Sequence, residues 1–213
     1  MDDIPSLTGK RWSVRGEKQP EENLFAAFCR VRELSPQLLR TPGMADLAPA
    51  NNIPGVSAAT RALLEAIDRQ QKILLFGDFD LDGMSGTAVL LLALRALGAK
   101  VQARLPSRAD GYGLSQQVYD EAAQNGVSLL VTVDCGSANA ACIEYGRSLG
   151  IETIVTDHHS IPDPPPQPLV FVHPQLASAD ADFYHITGAG VAFFLAKALL
   201  KAAHPGKDMT PLL

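Results

Sequence analysis

The stretch KILLFGDFDLDGMSGTAVLLLALRALGAK, from Lys72 to Lys100, places three aspartates within five positions directly behind an apolar run. These aspartates are Asp78, Asp80 and Asp82. Like charges this close repel one another, so we expect a bound cation to offset their repulsion. The run KILLF is too short for a helix and is followed at once by glycine, which predicts a strand buried on both faces. The aspartates therefore belong to the loop that follows a buried strand.

The composition predicts a globular, soluble, cytoplasmic protein. The chain has 213 residues and is 46% hydrophobic, enough for one domain with a full core. Its N-terminus lacks the apolar segment of a signal peptide, and we expect no membrane association. The three cysteines, Cys29, Cys135 and Cys142, have no metal-type spacing and are expected to be free thiols. With a net charge of −5, the chain has no general attraction for nucleic acid, so local features or bound cations must hold any phosphate.

Alternating strand and helix patterns predict an α/β fold in which helices flank a mostly parallel sheet. Residues 1–70 are expected to form a helical extension, with helices at 21–39 and at 57–70, the second capped by Ser57. Residues 71–213 are expected to form the catalytic domain. Its predicted strands are KILLF, KVQARLP, SLLVTV and IETIVT, and its predicted helices are AVLLLALRALGA, SQQVYDEAAQNG and ANAACIEYGRSLG.

Acidic residues and histidines follow three of these strands. They are Asp78 after KILLF, Asp134 after SLLVTV, and Asp157, His158 and His159 after IETIVT. In an open parallel sheet, ligands bind outside the carboxyl ends of the strands, so these side chains are expected to converge. Carboxylate oxygens with imidazole nitrogens suit Mn²⁺ or Mg²⁺ better than structural zinc. Two such ions could activate a water and neutralise a phosphate.

Other interpretations of these motifs are open. DFDLDG resembles the start of a calcium-binding loop, but Val89 occupies the position where a bidentate glutamate is needed. A strand followed by DLDG is also typical of haloacid-dehalogenase-type phosphatases. Asp134 by itself could be a helix cap, and His158 and His159 could form an ordinary surface turn. Cys135 is interpreted as a small buried residue beside the site, because no base is evidently positioned to activate it.

GDFDLDG, VTVDCGS and VTDHH, in this order and spacing, resemble the first three motifs of the DHH phosphoesterase superfamily. LPSRADGYGLS and ITGAGVAFFLAKAL further resemble its branch of bacterial single-strand-specific exonucleases. The resemblance implies a metal-dependent enzyme that degrades single-stranded DNA from the 5′ end during recombination and repair and releases 5′-mononucleotides. It also implies helicase or single-strand-binding-protein partners.

The resemblance assigns roles to residues of the three motifs. The implied metal ligands are Asp80, Asp82, Asp134 and His158. His159 would face the scissile phosphate, Asp157 would orient a histidine, and Asp78 would support the site or touch a metal.

Four further residues are candidates for substrate binding. Arg108 is a candidate phosphate ligand, or else a solvated surface residue. Tyr112 could stack on a base or merely belong to a turn. Gly188 and Gly190 permit close backbone approach, either to substrate or between helix and sheet.

Two departures from the family pattern affect these expectations. His173 stands where the related exonucleases usually carry asparagine. The family also has a fourth motif with another metal-binding aspartate and a second domain, both expected beyond Leu213. We therefore expect an N-terminal fragment with little or no activity of its own. The rival functions are a phosphoesterase for oligonucleotides, cyclic dinucleotides or pyrophosphate, and a non-catalytic binding module.

Overall fold

The structure is a computed structural model that describes residues 52–106, 113–207 and 209. The described residues all belong to one of two compact units, Ala48–Leu213. The helix expected at 21–39, Arg108 and Tyr112 lie outside the described residues. Among the residues that the structure describes, no helix is both long and apolar enough to cross a membrane.

Five parallel strands form a single sheet in the order β2-β1-β3-β4-β5. They are β1 (Lys72–Gly77), β2 (Lys100–Arg104), β3 (Leu129–Val133), β4 (Glu152–Thr156) and β5 (Val170–Val172). The strand order has a switch point between β1 and β3: β2 is added on one side of β1, and β3, β4 and β5 are added on the other. Such a switch point opens a crevice at the carboxyl edge where α/β proteins bind ligands.

Helices cover both faces of the sheet. They are α1 (Val56–Asp68), α2 (Leu81–Ala96), α3 (Gln116–Gln124), α4 (Ala140–Ser148) and α5 (Gly188–Ala203). One face carries α1, α2 and α5, and α5 packs against both of the other two. The other face carries α3 and α4 over a core that includes Leu74, Phe76 and Leu130. The predicted α/β class with a parallel sheet flanked by helices is confirmed.

Several predicted boundaries differ from the structure. Helix α1 begins at Val56 with Gly55 as its N-cap, so the prediction that Ser57 caps it is wrong. Gly55 takes a left-handed conformation (φ 88°), and a Cβ there would lie 2.3 Å from the carbonyl oxygen of Phe171. Helix α2 begins at Leu81, well before the predicted AVLLLALRALGA segment, because Asp80 caps it. Strand β5 and helix α5 are not among the predicted elements.

Strand register places four polar residues in one row across the carboxyl edge. Gly77 pairs with Val133, Val133 with Thr156, and Thr156 with Val172. The residues that follow these four strand ends also lie side by side. Three of these following residues donate their N–H groups to the carbonyl at the end of the neighbouring strand. The row consists of Asp78, Asp134, Asp157 and His173. The backbone ladder itself therefore brings these side chains together.

A buried hydrogen bond joins the sheet to its α3–α4 face. The hydroxyls of Tyr119 and Thr153 lie 2.7 Å apart, and both residues are buried. Gly146 of α4 allows the ring to approach, because a Cβ there would lie 2.1 Å from a ring carbon of Tyr119. Removing the phenol oxygen would leave the Thr153 hydroxyl without this partner, in a place that water cannot readily reach.

We expect Tyr119→Phe to lower the free energy of unfolding by about 1–2 kcal/mol, measured by urea denaturation. Tyr145→Phe is the matched control, since the Tyr145 hydroxyl donates to Asp120 Oδ1 at 2.6 Å in a half-exposed position. Its effect should be smaller, because water can replace the lost partner. Equal losses in the two variants would contradict this account of the Tyr119 contact.

Candidate metal centre

The loop after β1 presents its aspartates in three different environments. Asp78 is buried, and its Oδ1 accepts the N–H of Phe79 at 2.7 Å. Asp80 is exposed and caps α2, with Oδ1 accepting the N–H of Gly83 at 2.9 Å. Gly83 is required there, since a Cβ would lie 2.6 Å from the Cβ of Asp78. The short loop thus folds back over the strand end and holds both carboxylates at the carboxyl edge.

Asp82 joins the first turn of α2 to the start of α5. Its Oδ2 accepts the N–H of Gly188 at 2.8 Å, and its Oδ1 accepts that of Ala189 at 2.7 Å. A carboxylate is favourable at this position, because the free N–H groups and the dipole of a helix N-terminus attract negative charge. Asp82 Oδ2 also lies 3.6 Å from Nε2 of His158. The predicted ligand therefore has a structural role in docking α5.

Asp134 is a buried carboxylate at the centre of the site, only 1% exposed. Its backbone has φ 62°, a left-handed conformation that residues other than glycine rarely adopt. It is not a helix cap, since α4 begins at Ala140 with Asn139 as its N-cap. Its Oδ1 is buried and accepts no hydrogen bond from the part of the chain that the structure describes, although His158 Nε2 lies 3.2 Å away.

The environment of Asp134 opposes its ionisation. Burial, followed by the negative charge of Asp82, raises the pKa of Asp134 from 3.8 to about 7. Burial also raises the pKa of Asp78, with a further contribution from Asp80 and despite the hydrogen bond from Phe79. A cation at this position would offset the cost of burying these negative charges, because it favours the ionised form of each carboxylate.

Asp157 has the opposite environment, although it lies in the same row. Burial alone would raise its pKa, but hydrogen bonds from Ser137 and His159 outweigh burial and lower it. Its Oδ2 accepts the Ser137 N–H at 2.9 Å, and its Oδ1 lies 2.8 Å from Nδ1 of His159. Partial burial opposes the charged form of His159, but the bond to Asp157 and the charges of nearby carboxylates raise its pKa overall. Asp157 is thus an ionised group that orients His159.

Two overlapping groups of side chains offer atoms suited to a metal ion. Asp78, Asp80 and Asp134 form one, and Asp134, His158 and His159 form the other, with the donor atoms of each group within 4.8 Å of one another. Asp134 belongs to both groups. The buried Oδ1 of Asp134 and the mixture of carboxylate and imidazole donors fit a hard divalent cation. The predicted convergence of Asp80, Asp134 and His158 at one sheet edge is therefore observed, with Asp82 beside it.

Comparisons with known proteins agree with this geometry. The family model described as "DHH family, N-terminal domain" matches residues 72–213. The chain belongs to the DHH family. The motif VTDHH ends in Asp157, His158 and His159, directly after β4. In this DHH domain the three motifs occupy the ends of β1, β3 and β4, on either side of the switch point.

The chain is similar to several single-stranded-DNA-specific exonucleases. The RecJ exonuclease of Escherichia coli is 41% identical over 72% of this chain and 27% of its own length. A crystal structure of an exonuclease RecJ bound to manganese is 40% identical with a TM-score of 0.67, covering 73% of this chain and 40% of that one. RecJ of Thermus thermophilus in complex with Mn²⁺ is 35% identical with a TM-score of 0.66, covering 84% of this chain and 25% of that one. The chain spans between 20% and 32% of the length of the curated relatives it matches.

The substrate-binding candidates of the DHH domain are only partly placed. A Cβ on Gly188 would lie 2.2 Å from Asp134 Oδ1, and one on Gly190 would lie 2.3 Å from the side chain of Ile186. Packing alone therefore accounts for both glycines, and contact with a substrate stays a prediction. Arg108 and Tyr112 lie outside the described residues.

Three residues of the site were not identified as site residues from the sequence. Ser137 donates to Asp157, whereas His173 and Gln175 contact the backbone of the histidine pair. Of these, only His173 carried a signal, as a departure from the family pattern. Cys135 is buried as predicted, and burial raises its pKa well above its usual value, so it stays a thiol.

The raised pKa of Asp134 predicts an unusual dependence of stability on pH. In metal-free protein the folded state holds the proton of Asp134 more tightly than the unfolded state, whose pKa is near 3.8. The stabilisation of the folded state by protonated Asp134 is therefore fully present below about pH 4, and it is lost as the pH rises through about 7. We expect the difference in unfolding free energy between wild type and Asp134→Asn to shift in favour of the variant between about pH 5 and about pH 8. Urea denaturation in EDTA at both pH values measures it, and a difference that does not change with pH would contradict the prediction.

Proposed function

We propose that this chain holds the metal ions and the scissile phosphate in a 5′-to-3′ exonuclease that acts on single-stranded DNA and releases 5′-mononucleotides. The observation that carries the proposal is the environment of Asp134. It is a buried carboxylate whose Oδ1 accepts no hydrogen bond from the described residues, it has a pKa raised to about 7, and it belongs to two groups of metal-type donors. Without a bound cation, burial of this ionised carboxylate would lower the stability of the folded state.

The residues proposed to hold Mn²⁺ or Mg²⁺ are Asp80, Asp82, Asp134 and His158. Asp134 would be a ligand in either of the two donor groups, since it lies in both. Both oxygens of Asp82 already accept N–H groups, but a carboxylate has about four lone-pair positions and can also accept a cation. When bound, two ions would activate a water and neutralise charge on the phosphate. Asp78 would support this arrangement from the buried side of the loop.

His159 is proposed to face the phosphate. Its Nδ1 is held by Asp157, which fixes the ring orientation and favours the protonated form. A protonated imidazole can donate to a phosphate oxygen where negative charge develops in the transition state. Asp157 acts through His159 and is therefore a positioning residue.

The nature of the substrate is supported by the relatives, whose names describe exonucleases specific for single-stranded DNA. Arg108 is proposed to bind a phosphate of the strand and Tyr112 to stack on a base. Gly188 and Gly190 would shape the edge of the site beside the strand. Helicases or single-strand-binding proteins are the proposed partners in bacterial repair and recombination.

The first experiment tests metal binding in the 213-residue chain. Asp134→Asn and Asp80→Asn should each weaken Mn²⁺ binding by at least about tenfold in isothermal titration calorimetry. Asp68→Asn is the matched control, since Asp68 is exposed at the end of α1, close in sequence to the opposite edge of the sheet. Equal affinity in all three variants would place any metal elsewhere.

The second experiment tests the substrate in a protein extended through the fourth motif and second domain that the family resemblance implies. With Mn²⁺ it should degrade 5′-phosphorylated single strands from the 5′ end and leave blunt duplex intact, whereas the 213-residue chain alone should turn over little. Arg108→Ala should weaken strand binding more than Mn²⁺ binding, because a phosphate contact lies outside the metal ligands.

Each rival function gives a different result in that assay. Turnover of pyrophosphate or dinucleotides with long strands untouched would favour the small-substrate phosphoesterase. Strand binding without any turnover in the extended protein would favour the non-catalytic module.

A further inference from the structure

A short turn directly after β5 holds the backbone of the histidine pair. His173 Nε2 lies 2.8 Å from the carbonyl oxygen of His159, and Gln175 Nε2 donates to the carbonyl oxygen of His158 at 3.2 Å. We propose that the turn at residues 173–175 is a positioning element for the reaction, in which His173 sets the position of His159 and Gln175 that of His158. This inference rests on the proposed function, because it concerns the same histidines.

The hydrogen bonds of His173 define its tautomer. The backbone N–H of Gln175 donates to Nδ1 at 3.2 Å, so Nδ1 carries no proton. Nε2 must then carry the proton and donate it to the carbonyl of His159. The side chain is fully buried and both ring nitrogens have partners, so the imidazole is neutral and held in one orientation. It supplies one donor and one acceptor at fixed positions.

The turn is anchored independently of the histidine pair. Its backbone begins with His173, whose N–H donates to the carbonyl of Pro54 at 3.3 Å. Gly55 packs against the carbonyl of Phe171, and the rings of Phe171 and His173 lie 5.1 Å apart. The turn can therefore act as a fixed reference for a loop that begins at the end of β4. Such support matters, because a displacement of about 1 Å at a reacting group can cost on the order of a hundredfold in rate.

His159 is held from two sides. Asp157 fixes its side chain through Nδ1, and His173 fixes its peptide carbonyl. His158 is held differently, since its carbonyl accepts from Gln175 while its ring faces Asp82 and Asp134. The two residues of the turn therefore act on different parts of the proposed chemistry: His173 on the phosphate-facing histidine and Gln175 on the metal-binding one.

This division predicts separable effects. Gln175→Leu should weaken Mn²⁺ binding by about tenfold, the lower end of the effect of outer partners at metal sites. His173→Leu should leave the affinity for Mn²⁺ within about twofold of wild type. In the extended protein, it should lower kcat by about ten- to a hundredfold with little change in KM.

His173→Asn is the variant that separates positioning from packing. An asparagine side chain offers one amide donor and one carbonyl acceptor, whereas leucine offers neither but fills more of the space of the imidazole. A positioning role predicts that asparagine restores most of kcat and leucine does not. A packing role predicts the reverse order, and thermal denaturation of both variants shows whether either one fails to fold.

Nuclear magnetic resonance provides a measurement that needs no activity. Long-range ¹H–¹⁵N correlation spectra of the 213-residue chain should show His173 with the proton on Nε2. The ring signals of His159 should move in His173→Leu and return toward wild type in His173→Asn. If wild type neither binds Mn²⁺ nor cleaves DNA, the proposed function fails, but these signals still decide the positioning role. Unchanged His159 signals in His173→Leu, or asparagine no better than leucine, would overturn it.

Discussion

The register of four parallel strands is the constraint on which the site depends. Pairing of Gly77, Val133, Thr156 and Val172 at one level places the following residue of each strand in a single row. A shift of one residue in any strand would turn its side chain to the other face of the sheet. The backbone ladder, stabilised by the apolar side chains of buried strands, thus fixes the positions of these polar side chains relative to one another. The polar row could not achieve this alone, because three of its members are carboxylates that repel one another.

Two neighbours in this row show how environment assigns different roles to the same side chain. Asp157 receives hydrogen bonds that keep it ionised, whereas Asp134 is buried and its Oδ1 accepts no hydrogen bond from any described residue. Their pKa values are consequently displaced in opposite directions, which is typical of carboxylates with distinct functions. The first acts as a fixed negative partner for His159. The second is destabilised in its charged form by burial and by Asp82, which is the environment that the proposed cation would offset.

The sequence predicted the fold class and the edge on which the site lies, because both depend on local signals. Apolar runs such as KILLF identify buried strands, and the polar residues that follow them must lie at the carboxyl edge. The N-terminus of α2 was predicted too late, since Gly83 and Gly86 weaken the helical pattern and only Asp80 as a cap reveals the true start. Three-residue β5 is too short to show a period.

Contacts between distant residues were beyond the reach of sequence patterns. Nothing near Gln175 in the sequence indicates that its amide reaches the carbonyl of His158, and nothing near Ser137 indicates that its N–H reaches Asp157. Each contact depends on where a loop lies after the sheet has formed. The tautomer of His173 likewise follows only from the positions of its two partners.

The docking of α5 explains why the first motif and a segment more than a hundred residues later depend on each other. Asp82 accepts two N–H groups from the start of α5, and Gly188 leaves the space that Asp134 occupies. Without a Cβ at Gly188, the positive end of the helix can approach two carboxylates at once. The helix therefore stabilises negative charge at the site without neutralising it fully, since backbone dipoles carry only partial charges. Lone pairs remain on Asp82 after it accepts the two N–H groups, and Oδ1 of Asp134 accepts no hydrogen bond from any described residue, so the proposed cation could bind here while Asp82 holds the helix in place.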